Sequence, residues 1–170
     1  MIPAVYFLYT PVHFHREIAV LIILVAVTTD ALDGYIARKL NQVSELGKII
    51  DPLADKIGVG IIIVMLMIYN DIPLWFGCLV LVRDGIIFLA GIYLKQKTGI
   101  VLPSLLAGKV AVSFVALTLV FAMLQYPSFS KLFDFSLGVS IGFMLVSFIQ
   151  YTRRFFATLK GFRTNTTYSG

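Results

Sequence analysis

Charge is what this chain has least of. Only 14% of its 170 residues are charged, nine acidic and fourteen basic, well under the quarter usual for a soluble domain. That composition excludes a soluble globular enzyme, and with so much apolar character it excludes a disordered chain as well. Cysteine is scarcer still. Cys78 has no mate for a disulfide, so a disulfide scaffold is ruled out. It falls in an apolar run and reads as a packed small hydrophobe. The only two histidines, His13 and His15, share a polar turn with Pro11, Arg16 and Glu17. Nothing nearby completes a metal site, so they read as part of a solvated loop. The start lacks a basic region followed by a small-residue cleavage site, so no cleavable signal peptide is expected. No internal repeat or low-complexity tract is present.

What the chain has in abundance is hydrocarbon. Hydrophobic residues make up 59% of it and the mean hydropathy is +0.92, the signature of a polytopic membrane protein. The expected fold is all-α, one membrane domain over 1–160 made of six transmembrane helices. Met1 to Val12 is apolar, but twelve helical residues rise only about 18 Å where the hydrocarbon core needs about 30 Å. The first span is therefore expected to be truncated. A second runs from Ile18 to near Asn41. For the third, Ser44 is a candidate N-cap with Glu45 in the first turn and Pro52 inside the helix. A competing arrangement makes Asp51 the N-cap and Pro52 the first helical residue. Tyr69 to Pro73 reads as a turn. A fourth span covers about Leu74 to Leu94, with Arg83 and Asp84 near its middle, and Lys95 to Lys109 is a basic connection. The fifth span runs from Val110 to about Leu124, Gln125 to Asp134 is a polar loop, and the sixth covers Phe135 to about Tyr151. Residues 161–170 are expected to be a disordered cytoplasmic tail.

Basic residues set the orientation. Placing the 30–55 region in the cytoplasm puts eleven of the fourteen on that side: Arg38, Lys39, Lys48, Lys56, Lys95, Lys97, Lys109, Arg153, Arg154, Lys160 and Arg163. Arg16 and Lys131 lie outside and Arg83 within a span, a clear positive-inside bias.

Against this apolar background four of the nine acidic residues, Asp30, Asp33, Asp51 and Asp55, crowd into 26 positions. At 100° per residue, Asp30, Asp33 and Ala37 share one helix face, with Gly34 beside them and Arg38 at its edge. Gly47, Asp51 and Asp55, spaced by four, stack on one face of the next helix. Turned toward each other, the two faces would bring four carboxylates into one cleft. Like charges so close require protonation or divalent cations among them, and oxygen-only ligands favour a hard ion, Mg²⁺ or Mn²⁺. Pairing of each aspartate with Arg38, Lys48 or Lys56 as a structural bridge is the alternative. Gly34, Ala37 and Gly47 argue against it, because they remove bulk where a ligand would need room. A metal held by carboxylates next to an arginine suits a phosphate-bearing ligand, which points to phosphoryl chemistry at a membrane surface. A cation-transporting protein could use the same carboxylates, but would have no use for Gly34, Arg38 and Gly47.

The pattern Asp30-x₂-Asp33-Gly34-x₂-Ala37-Arg38-x₈-Gly47-x₃-Asp51-x₃-Asp55 matches without a gap the signature of the CDP-alcohol phosphotransferase family, and the chain resembles that family over nearly its whole length. The resemblance implies an enzyme, homodimeric and integral to a bacterial cytoplasmic membrane, that displaces CMP from CDP-diacylglycerol with an alcohol. It implies that Asp30, Asp33, Asp51 and Asp55 hold two divalent ions, Mg²⁺ or Mn²⁺, and that Asp55 is also the general base. Gly34, Ala37, Arg38 and Gly47 would line the CDP site. Asp51-Pro-Leu-Ala-Asp55-Lys56 and the stretch from Asp33 to Gln42 are most similar to the members that make phosphatidylglycerophosphate, whose acceptor is glycerol 3-phosphate. Arg83, Lys109 and Arg153 are the residues that would receive the acceptor phosphate. Headgroup snorkelling is the alternative for Lys109 and Arg153, and a structural contact with Asp84 the alternative for Arg83. Cardiolipin synthases, which use phosphatidylglycerol as acceptor, share the Asp-Pro-Leu-Ala-Asp-Lys pattern and are the runner-up. Members of the phosphatidylglycerophosphate branch also begin with an amphipathic cytoplasmic segment that this chain is expected to lack.

Overall fold

In the computed structural model the backbone is described for residues 15–39, 47–100, 102–103 and 105–167, and the side chains for the same residues except 15, 27, 30–31, 33–38, 47–55 and 162–167. All regular structure among them is helical: α1 (His15–Lys39), α2 (Gly47–Ile68), α3 (Leu74–Thr98), α4 (Leu106–Leu124), a 3₁₀ turn (Pro127–Phe129) and α5 (Ser130–Thr167). The expected first span and the Ser44 cap lie outside the described residues. Three described segments are long and apolar enough to cross a bilayer: Leu74–Thr98, Leu106–Leu124 and Pro127–Gly161. Lys56–Ile68 is a shorter apolar helix.

Helix ends depart from the expected spans for local reasons. Asp51 and Pro52 lie inside α2, which overturns the arrangement with Asp51 as N-cap; the helix accepts the loss of one backbone bond at Pro52. α3 runs past Leu94 because Lys97 reaches back one turn to the Tyr93 hydroxyl at 3.0 Å. It stops where Gly99 adopts φ 69° and its N–H returns to the Lys95 carbonyl at 2.9 Å, a left-handed C-terminal turn that glycine takes without steric cost. Lys95, Lys97 and Lys109 thus lie on helices rather than in a basic connection, which leaves the uncharged residues 99–105 between α3 and α4, and the polar loop before α5 shrinks to Gln125, Tyr126 and the 3₁₀ turn. α5 has 38 residues and rises about 57 Å, so it outreaches a hydrocarbon core of about 30 Å. The boundary expected at 160 falls within it.

The chain divides into two compact units, Met1–Gly77 with Val120–Tyr126, and Cys78–Leu119 with Pro127–Gly170. In the first, Ala19 and Val20 of α1, Ile62, Ile63 and Leu66 of α2, Ile72, Phe76, and Ala122 and Met123 of α4 are buried. α2 and α3 approach so closely that a Cβ on Gly77 would stand 2.1 Å from the Met67 sulfur. In the second unit Ser136, Ser140, Met144 and Ser147 of α5, Val80 and Leu94 of α3, and Ala111, Val115 and Thr118 of α4 are buried. Small residues at such an interface let backbones approach, and their hydroxyls find partners: Thr118 donates to Ser136 at 2.9 Å, and Ser140 to the Leu137 carbonyl at 2.8 Å. Large apolar side chains such as Leu74, Leu89, Leu106 and Phe135 are more than 60% exposed, as lipid-facing positions require. Cys78, expected to be packed, is exposed as well. α3 is apolar all round, so its pattern could not say which face looks outward.

One polar cluster closes the first unit. Leu66 and Met67 carbonyls accept the Asp71 and Asn70 N–H groups at 2.8 and 3.2 Å, with Asn70 at φ 59°. This is a Schellman ending with asparagine in the left-handed position, and it delivers Asp71 directly off the end of α2. The Asp71 carboxylate, only 4% exposed, lies 3.5 Å from Arg16 at the start of α1 and accepts from the Gln125 amide. The same Arg16 nitrogen donates to the Met123 carbonyl at 3.1 Å, and Tyr126 donates to Glu17. That hydrogen bond to a carboxylate raises the Tyr126 phenol above its ordinary 10.

Candidate active site

The signature residues occupy two consecutive helices of one unit. Asp30, Asp33, Gly34, Ala37 and Arg38 fall on the last part of α1, and Gly47, Asp51 and Asp55 on the first part of α2; their side chains are outside the described set. Because Arg16 at the beginning of α1 meets Asp71 just beyond the end of α2, the two helices run in opposite directions. Distance along each helix from that meeting point then fixes depth. Asp30 lies fourteen residues from Arg16, about 21 Å, and Asp55 thirteen residues from Ile68, about 20 Å. Asp33 and Asp51 are each seventeen residues along, about 26 Å. All four aspartates therefore lie toward the ends of α1 and α2 that are remote from the Arg16–Asp71 contact.

Register adds the second coordinate. On α1 the five signature residues span an arc of about 140°, and on α2 the three span about 80°. Just before this arc, Thr28 and Thr29 return their hydroxyls to the Leu24 and Val25 carbonyls at 2.6 and 2.8 Å, which satisfies both in an apolar setting. Four carboxylates and no nitrogen or sulfur donor form a set suited to hard divalent ions. Among the described residues no group of three or more His, Cys, Asp or Glu gathers; the side chains of the four aspartates are not among them.

The three basic residues expected at the acceptor phosphate belong to the other unit. Arg83, near the middle of α3, is 13% exposed; one end of its guanidinium contacts Asp84 at 2.5 Å and the other donates to Ser147 on α5. Its Nε is buried without a hydrogen-bond partner among the described residues. The contact with Asp84 weighed as a structural alternative is therefore present. A Cβ on Gly108 would lie 3.9 Å from Arg83 Nη2 and 3.7 Å from Ser147 Oγ, so the guanidinium sits against the first turn of α4, beside the residue that precedes Lys109. Lys109 and Arg153 are exposed. Arg153 lies six residues beyond Ser147 on α5, about 9 Å along the axis. Two residues before it, the Tyr151 hydroxyl meets the Ile87 carbonyl of α3 at 3.3 Å. Ser147 and Gly108 are not among the residues that the sequence singles out. The one signal it carries for them is the recurrence of serine at 136, 140 and 147 on one face of an apolar helix.

Helices long enough to cross a bilayer, with four acidic residues on two consecutive helices, define a helical membrane protein. The chain belongs to the CDP-alcohol phosphatidyltransferase family, whose model matches residues 1–151. It is therefore a transferase, and the cation-transport alternative falls away. A CDP-diacylglycerol–glycerol-3-phosphate 3-phosphatidyltransferase of Bacillus subtilis is 33% identical over 149 residues, covering 82% of this chain and 74% of the relative. One of the same name from Aquifex aeolicus is 34% identical over 152 residues, 85% and 81% of the two chains. A cardiolipin synthase (CMP-forming)/mitochondrial hydrolase fusion protein of Schizosaccharomyces pombe is 34% identical over 96 residues, 56% of this chain and 16% of the relative.

Proposed function

We infer that the protein transfers the phosphatidyl group of CDP-diacylglycerol to glycerol 3-phosphate, giving phosphatidylglycerophosphate and CMP. The observation that carries this reading is the match to the family over residues 1–151, together with relatives named for that reaction along most of their length. The four aspartates on two consecutive helices of one unit support it.

In this reading Asp30, Asp33, Asp51 and Asp55 hold two divalent ions, Mg²⁺ or Mn²⁺. When bound, these neutralise charge on the donor phosphates and on the departing CMP. Arg38 binds phosphate oxygens of the donor through its planar fork, while Gly34, Ala37 and Gly47 leave space for the CDP moiety. The Asp55 carboxylate takes the proton of the glycerol 3-phosphate hydroxyl as its oxygen attacks the phosphorus that bears the diacylglycerol. A new P–O bond forms there, the bond to the bridging oxygen breaks, and CMP leaves with that electron pair. Arg83, Lys109 and Arg153 receive the acceptor phosphate; of these, Arg83 is already held in place by Asp84 and Ser147. The full architecture is a six-span homodimer in a bacterial cytoplasmic membrane, with the aspartates and the residues after 160 on the cytoplasmic side and the acyl chains of the donor along the lipid-facing helices.

The fusion relative from Schizosaccharomyces pombe favours a second acceptor, phosphatidylglycerol. Purified protein supplied with CDP-diacylglycerol and Mg²⁺ separates the two through CMP release. Release with glycerol 3-phosphate alone is expected. Release with phosphatidylglycerol alone moves the protein to the cardiolipin branch, and release with neither overturns both acceptors.

A further inference from the structure

We propose that the contacts among Arg16, Asp71, Gln125 and the Met123 carbonyl form a register clasp, and that Arg16 and Asp71 are positioning residues for the aspartates about 20 Å or more away along α1 and α2. The inference rests on the reading of Asp30, Asp33, Asp51 and Asp55 as one ion-binding set.

Among the described side chains of α1, Ala19 and Val20 are buried, Ile18, Ile22 and Ile23 are half-buried, and Leu21, Leu24 and Val25 are 61, 51 and 57% exposed. Apolar contacts of this kind are not directional and set the position of a helix along its axis only weakly. The polar contacts are directional and do resist sliding. Asp71 is bound to the end of α2 by the Schellman turn, with Asn70 at φ 59°, and Gln125 is set off the end of α4 at φ 51° by its N–H to the Phe121 carbonyl at 3.2 Å. Two non-glycine residues thus adopt a left-handed backbone at one cluster, the kind of local cost that persists when surrounding contacts require it. Both converge on the Asp71 carboxylate, which Arg16 also meets from α1. The clasp ties the start of α1 to the end of α2, the two helices that carry the aspartates. A slip of one residue shifts a carboxylate by about 1.5 Å, and a hard divalent ion tolerates far less than that in its bond lengths. In the proposed orientation the clasp lies at the end of the helices opposite the site, so it touches neither substrate nor ion.

The test is Mn²⁺ binding to the purified chain without substrates, read by the loss of the free-ion electron paramagnetic resonance signal, alongside the thermal unfolding midpoint. Arg16→Gln and Asp71→Asn are expected to weaken Mn²⁺ binding about 5- to 10-fold. Arg16→Lys, whose ammonium can reach both oxygens, is expected to stay within about twofold. Ile63→Ala removes a buried α2 side chain away from the clasp; it should lower the midpoint at least as far while leaving Mn²⁺ affinity within about twofold. Wild-type affinity in both Arg16→Gln and Asp71→Asn overturns the clasp, and so does an equal loss in Ile63→Ala, which would make the cluster a stabilising contact only. If Arg16→Gln does not fold, Asp71→Asn decides, since it keeps an acceptor for Gln125. Wild-type protein that binds no Mn²⁺ rejects the four-carboxylate reading itself and the clasp role with it; wild-type binding with unaltered variants rejects the clasp alone.

Discussion

Ser147→Ala removes one oxygen from the interior of the second unit, and its cost follows from what that oxygen does. The Arg83 side chain is 13% exposed, and its Nε already lies buried without a partner among the described residues. Loss of the Ser147 hydroxyl leaves Nη2 in the same condition, so two donors of a buried cation would go unpaired. A hydrogen bond to a charged group contributes about 1.5–3 kcal/mol, and the cavity left by one oxygen adds little. The expected loss is about 2 kcal/mol, a fall of roughly 4–8 °C in the unfolding midpoint for a chain of this size. Removing the cation as well should reverse part of the loss, because a buried charge is most costly when only its partner is taken away. Arg83→Met with Ser147→Ala is therefore expected to unfold at a higher temperature than Ser147→Ala alone. Circular dichroism in one detergent, with wild type and both single variants measured together, closes the cycle. Ser147→Ala should also raise KM for glycerol 3-phosphate more than KM for CDP-diacylglycerol, since only the former is assigned to Arg83. A Ser147→Ala midpoint indistinguishable from wild type, or a double variant worse than the two losses added, would refute the reasoning.

Asp55→Asn is expected to reduce CMP release by about 10²- to 10⁴-fold, the usual worth of a positioned general base; near-normal turnover at saturating Mg²⁺ would remove Asp55 from that role. Gly77→Ala puts a Cβ 2.1 Å from the Met67 sulfur and 3.2 Å from an Ile63 methyl. Met67 can swing aside but Ile63 yields less, so a loss of about 1–2 kcal/mol is expected in thermal unfolding, and an unchanged midpoint would show that α2 and α3 separate freely. The Tyr126 phenol, raised above 10 by its hydrogen bond to Glu17, keeps its proton longer in the folded protein. Its contribution is therefore fully present below about pH 10 and is lost as pH climbs through the raised value. In an ultraviolet titration referenced to Tyr126→Phe, Glu17→Gln should bring the Tyr126 midpoint down toward 10, and an unmoved midpoint would exclude Glu17 as the cause.

Much of the candidate site is legible in the amino-acid sequence. The spacings of Asp30, Asp33, Asp51 and Asp55, with glycine and alanine between them, depend only on helical geometry, and both stretches are helical. The apolar runs from Leu74 onward imply three long helices, because twenty consecutive hydrocarbon side chains have few other stable destinations. Helix ends are less legible. Lys95 to Lys97 and Ser130 to Asp134 are polar and read as connections, yet they continue helices, since a polar residue is well accommodated on a helical turn outside the hydrocarbon. Cys78 reads as packed but is exposed, because a helix apolar on every side carries no periodic mark of its inner face. Ser147 escapes notice for a related reason: its recurrence with Ser136 and Ser140 marks a face of the helix, but not the partner that face meets.

By itself the sequence determined the class of protein, the helices and the chemistry, because hydropathy, 100° register and the donor type of a carboxylate are properties of neighbours along the chain. Tertiary structure alone decided which distant residues meet. Arg16 and Asp71 are 55 positions apart, Arg83 and Ser147 64, and no local spacing encodes either contact. Each pairing follows from where a helix ends and how closely two helices pack, quantities set by the whole unit.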